Sequence, residues 1–197
     1  MKQIRLIDTT LRDGMHAVSH QLSAQEMATI AGRLDAAGVG TIEIGHGDGI
    51  GGSSFQYGFA KETDKAYFKA VSGAMKKGKW GVLLIPGIGT IEDLKVAMEY
   101  GVHTVRVATH VTEADVAEQH IKFAKQNGIE TVGFLMMSHM APVEKVVEQA
   151  KLMENYGSDL VYVTDSAGAM TPNEVKARIT AVKEAVKVPV GFHAHNN

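Results

Sequence analysis

"AAGVGTIEIG", residues 36–45, leads out of a helix through a glycine and into an apolar, β-branched run. The same order of events recurs in "YGVHTVRVAT" (100–109), "NGIETVGFLMMS" (127–138) and "YGSDLVYVTD" (156–165). "VKVPVGFHAH" (186–195) is a variant with Pro189 at the strand start, where a missing N–H is tolerated. Each of these helix-ending glycines suits a left-handed cap. "IRLID" (4–8) and "WGVLLIP" (80–86) complete seven expected strands, and six helices fall between them. "SAQEMATIAGRLDAAG" (23–38) opens with Ser23 and Glu26 at capping-box spacing. "TEADVAEQHIKFAKQNG" (112–128) opens on Thr112, and "TPNEVKARITAVKEAV" (171–186) on Thr171 with Pro172 at the first helical position.

Near-continuous apolar strands, each followed by a helix, predict a parallel sheet covered on both faces, either open and doubly wound or closed as a barrel. Polar residues decide between the two. Asp8, Glu43 with His46, Arg106 with His110, Ser138 with His139, Asp165, and His193 with His195 all fall at the C-terminal ends of expected strands. An open sheet gathers its site at one switch point, whereas a barrel draws on many strand ends. The expectation is an α/β fold, a (β/α)8 TIM barrel. Residues 1–197 are read as one barrel domain lacking its last strand. Its two outer strands are then open edges, through which isolated chains would associate.

Composition narrows the function. With 45% hydrophobic residues, 21% charged residues and a net charge of −2, the chain has no nucleic-acid footprint. The absence of cysteine excludes disulfides, thiolate metal sites and cysteine nucleophiles. No apolar run reaches the length of a membrane span and no signal peptide is evident, so no membrane partner and a cytoplasmic location are expected.

The chemistry concentrates in "DTTLRDGMHAVSH" (8–20) and "GFHAHNN" (191–197). His193 and His195 lie two apart on an expected strand and so share a face. Two packed or solvated histidines are the plain alternative. Asp13, in the loop after the first strand, can add a carboxylate at the same mouth. Two His and one carboxylate make an open site for a divalent ion such as Mn²⁺, Mg²⁺, Fe²⁺ or Zn²⁺. Arg12 forms either a surface pair with Asp13 or a clamp for a carboxylate or a developing enolate. His16 brings an imidazole, the side-chain type that most often serves as a general base. Gly47, Gly49 and Gly52 match the spacing of a phosphate-binding loop, but no helix pattern opens there, so 46–63 reads as a long mobile loop over the site. No expected strand interior carries a lysine, which argues against an imine mechanism.

"TLRDG" and "HAHNN" together resemble the metal-dependent lyase and aldolase superfamily that includes hydroxymethylglutaryl-CoA lyase and isopropylmalate synthase. Where those two show glutamine after the Asp-Gly, this chain has Met15 and His16. With "GHGDGIGGSSFQYGF", "THVTEAD", "VGFLMMSHM" and "TDSAGAM", the likeness is to the superfamily's 4-hydroxy-2-oxo acid aldolases. The resemblance implies that residues 1–197 are a catalytic domain lacking the family's C-terminal helical region as well as the last strand, and it implies metal-dependent cleavage of 4-hydroxy-2-oxopentanoate to pyruvate and acetaldehyde. It implies Asp13, His193 and His195 as ligands of a divalent ion, Mn²⁺ first. Arg12 would then be the enolate holder, His16 the base, and Ser166 a contact of the substrate carboxylate. Arg12, Asp13, Ser166 and His193 would line the substrate. An acylating acetaldehyde dehydrogenase is the implied partner, and a homo-oligomer is also expected. The rival readings are an acyl-CoA lyase or Claisen-type acyltransferase of the same superfamily, a non-haem iron oxygenase, and an inactive fragment.

Overall fold

The structure is a computed structural model and describes residues 4–195. Seven strands alternate with six α-helices, and the strands neighbour one another in chain order. A doubly wound sheet would reverse its order at a switch point. Parallel strands in unbroken chain order, the first six each followed by a helix, are the TIM-barrel arrangement, with seven of its eight strands among the described residues. The chain divides into two compact units, one ending at Val105 and the other beginning at Arg106.

The first unit holds β1 (Ile7–Leu11), α1 (Ala24–Ala36), β2 (Thr41–Ile44), α2 (Asp64–Ala74), β3 (Lys79–Leu84), α3 (Ile91–Glu99) and the start of β4 (Thr104–His110). Ser23 caps α1, and Glu26 returns the bond to the Ser23 backbone, as the spacing implied. Phe68 of α2 stacks on Trp80 of β3, with ring centroids 5.4 Å apart.

β1 lies three residues later than "IRLID" suggested. Ile4 and Leu6 look inward-facing by alternation, yet both are exposed, and the buried anchor is Leu11. The strand pairs Ile7 with Thr41 and Leu11 with Ile44 across an irregularity. Arg12 therefore stands at the strand end in place of Asp8, whose carboxylate turns locally to accept the Thr10 N–H at 3.0 Å.

Asp35 of α1 accepts backbone N–H groups from Lys76, Lys77 and Gly78, closing the turn between α2 and β3. The bond from Lys76, then that from Gly78, holds its carboxyl below the usual carboxylate range. Such a group stabilises the fold above its unfolded pKa, and that gain is lost as pH falls through its depressed value. Asp35→Asn is therefore expected to lower the melting temperature at pH 7. The gap from the unaltered protein should close as pH falls toward 3, as thermal melts across pH would record.

The second unit continues β4 and adds α4 (Glu118–Gln126), β5 (Glu130–Met136), α5 (Val143–Tyr156), β6 (Leu160–Asp165), α6 (Pro172–Ala185) and β7 (Val190–Ala194). α6 begins with the Thr171–Glu174 capping box and Pro172 as expected. α4 does not start at Thr112. The Thr112 hydroxyl bonds His110 Nδ1 at 2.8 Å, and a 3-10 turn over Ala114–Ala117 precedes the helix, its Ala114 N–H donating to Gln149. Arg106 is buried in this unit, its guanidinium 4.5 Å from the Phe134 ring centre. Among the described residues, no helix is long and apolar enough to cross a membrane.

Candidate active site

In the first unit, the end of β1 delivers Arg12 into a buried position. Its Nε donates to Glu43 Oε1 at 2.5 Å, its Nη1 to the Gly47 carbonyl at 3.1 Å, and its Nη2 pairs with Asp13 Oδ2 at 3.2 Å. Glu43, between Ile42 and Ile44 of β2, is only 2% exposed, so the guanidinium neutralises a carboxylate that burial alone would disfavour. A guanidinium has five N–H donors, and these three contacts leave two for an incoming anion. The Arg12–Asp13 ion pair thus exists, but it belongs to a buried clamp and is no solvated surface pair.

Asp13 opens a 3-10 turn over Asp13–Val18, and this turn carries His16 to the surface. His16 meets His20 edge-on with centroids 5.0 Å apart, and His20 stacks on His46 at 3.7 Å. His20 takes a left-handed backbone, φ 60°, and accepts the Gly47 N–H on Nδ1 at 3.3 Å. Burial, then repulsion from His46 and His16, lowers the pKa of His20; burial lowers that of His46. Both are neutral at pH 7.

Residues 46–63 hold turns and an isolated bridge between Ser54 and Gly58, and no helix opens until Asp64. A phosphate loop is thereby excluded. The segment is tied to His20 by the Lys61 N–H, and Gln21 donates to the Phe59 carbonyl at 2.9 Å.

In the second unit, His193 sits on β7 and His195 lies one residue beyond its end. Their Nε2 atoms nevertheless face each other at 3.3 Å. His195 Nδ1 lies 2.7 Å from the Ser166 carbonyl, an acceptor only, so Nδ1 carries the proton and Nε2 presents a lone pair. Two imidazole nitrogens converging in this way fit a divalent cation of the imidazole-binding kind. Ser166 follows β6, and its hydroxyl oxygen accepts the Met137 N–H at 2.9 Å. Its own proton is left to donate elsewhere.

The structure thus gathers Arg12, Asp13 and His16 in the first unit, and Ser166, His193 and His195 in the second. Sequence reasoning noted Glu43 and His46 as strand-end polar residues but missed Glu43 as the anchor of Arg12, and it missed the parts of Gly47 and His20. An acidic residue inside "TIEIG" was the available signal for Glu43.

Fold and site together define a protein of the TIM-barrel class with polar and imidazole groups at its strand ends. The chain belongs to the HMGL-like family, whose profile matches residues 3–197. The 4-hydroxy-2-oxovalerate aldolase of Carboxydothermus hydrogenoformans is 68% identical over 196 residues, covering 100% of this chain and 58% of that protein. That of Moorella thermoacetica is 65% identical, again over 100% of this chain and 58% of the relative. The chain therefore spans 58% of the length of these relatives. Among solved structures, the N-terminal domain of a candidate aldolase from Bacteroides vulgatus superposes with a TM-score of 0.79 at 26% identity, over 98% of this chain and 65% of that one. The carboxyl transferase domain of Rhizobium etli pyruvate carboxylase, at 20% identity and TM-score 0.81, shares the fold over 100% of this chain and 36% of its own.

Proposed function

We propose that this chain forms the catalytic core of a divalent-metal-dependent aldolase, a lyase cleaving 4-hydroxy-2-oxopentanoate to pyruvate and acetaldehyde. One observation carries the reading: a buried guanidinium, fixed on Glu43 and the Gly47 carbonyl with donors to spare, stands four residues ahead of an exposed imidazole. The names of the relatives favour the same chemistry.

Asp13, His193 and His195 would hold the cation, with Mn²⁺ our first choice. When bound, it supplies Lewis acidity to the oxo acid. The Ser166 hydroxyl, accepting from Met137, donates its proton to the substrate carboxylate. His16 removes the proton of the C4 hydroxyl. The O–H electron pair becomes the carbonyl of acetaldehyde, the C3–C4 bond breaks, and its electron pair passes into the enolate of pyruvate. Arg12 holds the negative charge that develops on the oxo oxygen. Protonation at C3 then yields pyruvate. The released aldehyde suits an acylating acetaldehyde dehydrogenase as the partner that consumes it.

Activity is expected to disappear on exhaustive chelation and return with Mn²⁺, with borohydride trapping no pyruvate–protein adduct. Metal analysis paired with a pyruvate-release assay tests this. Full activity without metal, or a trapped imine, overturns the metal mechanism, and preferred turnover of acyl-CoA substrates moves the chain to the sister lyases.

A further inference from the structure

We infer that the Gly47 peptide is the positioning element for both charge-handling residues of the first unit, setting Arg12 with its carbonyl and seating His16 against its bare α-carbon. The inference rests on the reading of His16 as the base.

Three observations meet at this one residue. Its carbonyl accepts Arg12 Nη1 at 3.1 Å, in a buried bond. Its N–H donates to His20 Nδ1 at 3.3 Å, also buried. A Cβ on Gly47 would lie 2.5 Å from both Cε1 and Nε2 of His16 and 2.7 Å from its Cδ2. The imidazole is packed against the α-carbon along the edge that bears Nε2, and only glycine leaves room for it there.

The surroundings hold this peptide in place. His20 stacks on His46, and His46 uses both of its nitrogens. Nδ1 accepts the Asp48 N–H at 3.1 Å, and Nε2 bonds the Gly58 carbonyl at 3.1 Å. Gly52 presses on this ring as Gly47 does on His16, since its Cβ would come within 2.5 Å of His46 Nδ1. Ligand atoms of His16, His20 and Asp48 lie within 4.8 Å of one another, a spacing a cation could exploit. However, with Nδ1 of His20 accepting the Gly47 N–H, its Nε2 carries the proton in the neutral ring, so the cluster is a hydrogen-bonded scaffold. Two successive left-handed residues, Ser19 at φ 51° and His20 at φ 60°, are the cost of placing the His20 ring there.

Gly47→Ala is the decisive variant. Unlike Gly49 and Gly51, Gly47 does not have a positive φ, so alanine brings no backbone strain. The obstructed atoms belong to the far end of an exposed side chain that can swing aside. The protein should fold with an unchanged melting temperature and keep its Arg12–Gly47 bond. A displaced base then lowers kcat for cleavage by about 10²-fold, the effect of a misplacement of roughly 1 Å. KM, and the dissociation constant of oxalate as a mimic of the pyruvate enolate, should move little.

A kcat equal to that of the unaltered protein overturns the inference. So does a parallel loss of melting temperature and oxalate binding, which would mark Gly47 as merely structural. A second pair separates the hydrogen bond from the stack. His20→Asn keeps an acceptor for the Gly47 N–H and tolerates the left-handed backbone, so it should retain most of the cleavage rate that His20→Leu loses. Equal losses in the two would overturn the role given to that bond. If His16→Ala itself cleaves normally, the reading of the base fails; if His16→Ala is crippled and Gly47→Ala is not, the positioning inference alone fails.

Discussion

His16→Ala lowers the rate of carbon–carbon cleavage by about 10²–10⁴-fold, the usual contribution of a positioned general base, and leaves the melting temperature nearly unchanged. The two halves of this expectation have different origins. The imidazole is exposed, so truncating it opens no cavity and strands no buried polar group. Its ring is nevertheless the one proton acceptor that we assign to the C4 hydroxyl. Steady-state pyruvate release and a thermal melt on the same sample check both halves. A variant that cleaves normally with an unaltered pH profile would make His16 an ordinary polar loop residue. A variant that unfolds would mean that its edge contact with His20 carries more of the fold than its exposure implies.

Arg12→Ala has the opposite signature, since it strikes stability and chemistry together. Glu43 is 2% exposed and loses the guanidinium that donates to it at 2.5 Å. Removing one member of a buried pair costs up to about 3–5 kcal/mol, because the carboxylate stays buried with less compensation. The Gly47 carbonyl loses its donor as well. Denaturant titration should show that drop. Activity should fall in every step that passes through the enolate, including exchange of the pyruvate methyl protons with solvent. The double replacement Arg12→Met, Glu43→Leu separates the two effects. Exchanging the whole pair for apolar groups of similar size should restore much of the stability, while exchange and cleavage stay lost. If the double variant regains activity along with stability, Arg12 is a structural residue and the charge of the enolate is held elsewhere.

The elements that were legible in the sequence are those whose signals are local. Ser23 with Glu26 and Thr171 with Glu174 announce their helices within four residues, and the structure contains both boxes. The glycines that precede β2, β4, β5 and β6 were readable for the same reason, and Gly38, Gly101, Gly128 and Gly157 all take positive φ. β1 was misplaced because apolar alternation in "IRLID" mimics a buried strand, whereas Leu11 is fixed by pairing with Ile44, far along the chain. Thr112 failed as a cap because a neighbouring imidazole took its hydroxyl. In the site, the run from Arg12 to His16 was visible as a cluster. The partners of Arg12 were not, since Glu43 and Gly47 lie 31 and 35 residues away and join it only through the packing of β1 on β2. The glycines of "GDGIGG" look like a phosphate loop, yet their physical reason is steric. Gly47 clears the His16 ring, and Gly49, at φ +86°, would place a Cβ 2.4 Å from the Leu83 carbonyl.

Ser166 bonds in two directions with two different parts of itself. Its side chain faces Met137, while its main-chain carbonyl fixes the proton of His195. The orientation of that histidine is therefore not written in the identity of residue 166 at all. Any amino acid that keeps the same backbone path supplies the same carbonyl, so substitution at this position changes the side chain that we propose for the substrate without removing the carbonyl that holds the imidazole. The converse also holds. An insertion or deletion between Asp165 and Gly168, even one that preserves the serine, would rotate the carbonyl away and release the ring. On the roles we propose for Ser166 and His195, the substrate contact is open to point substitution, and the orientation of the imidazole is exposed chiefly to changes in loop length.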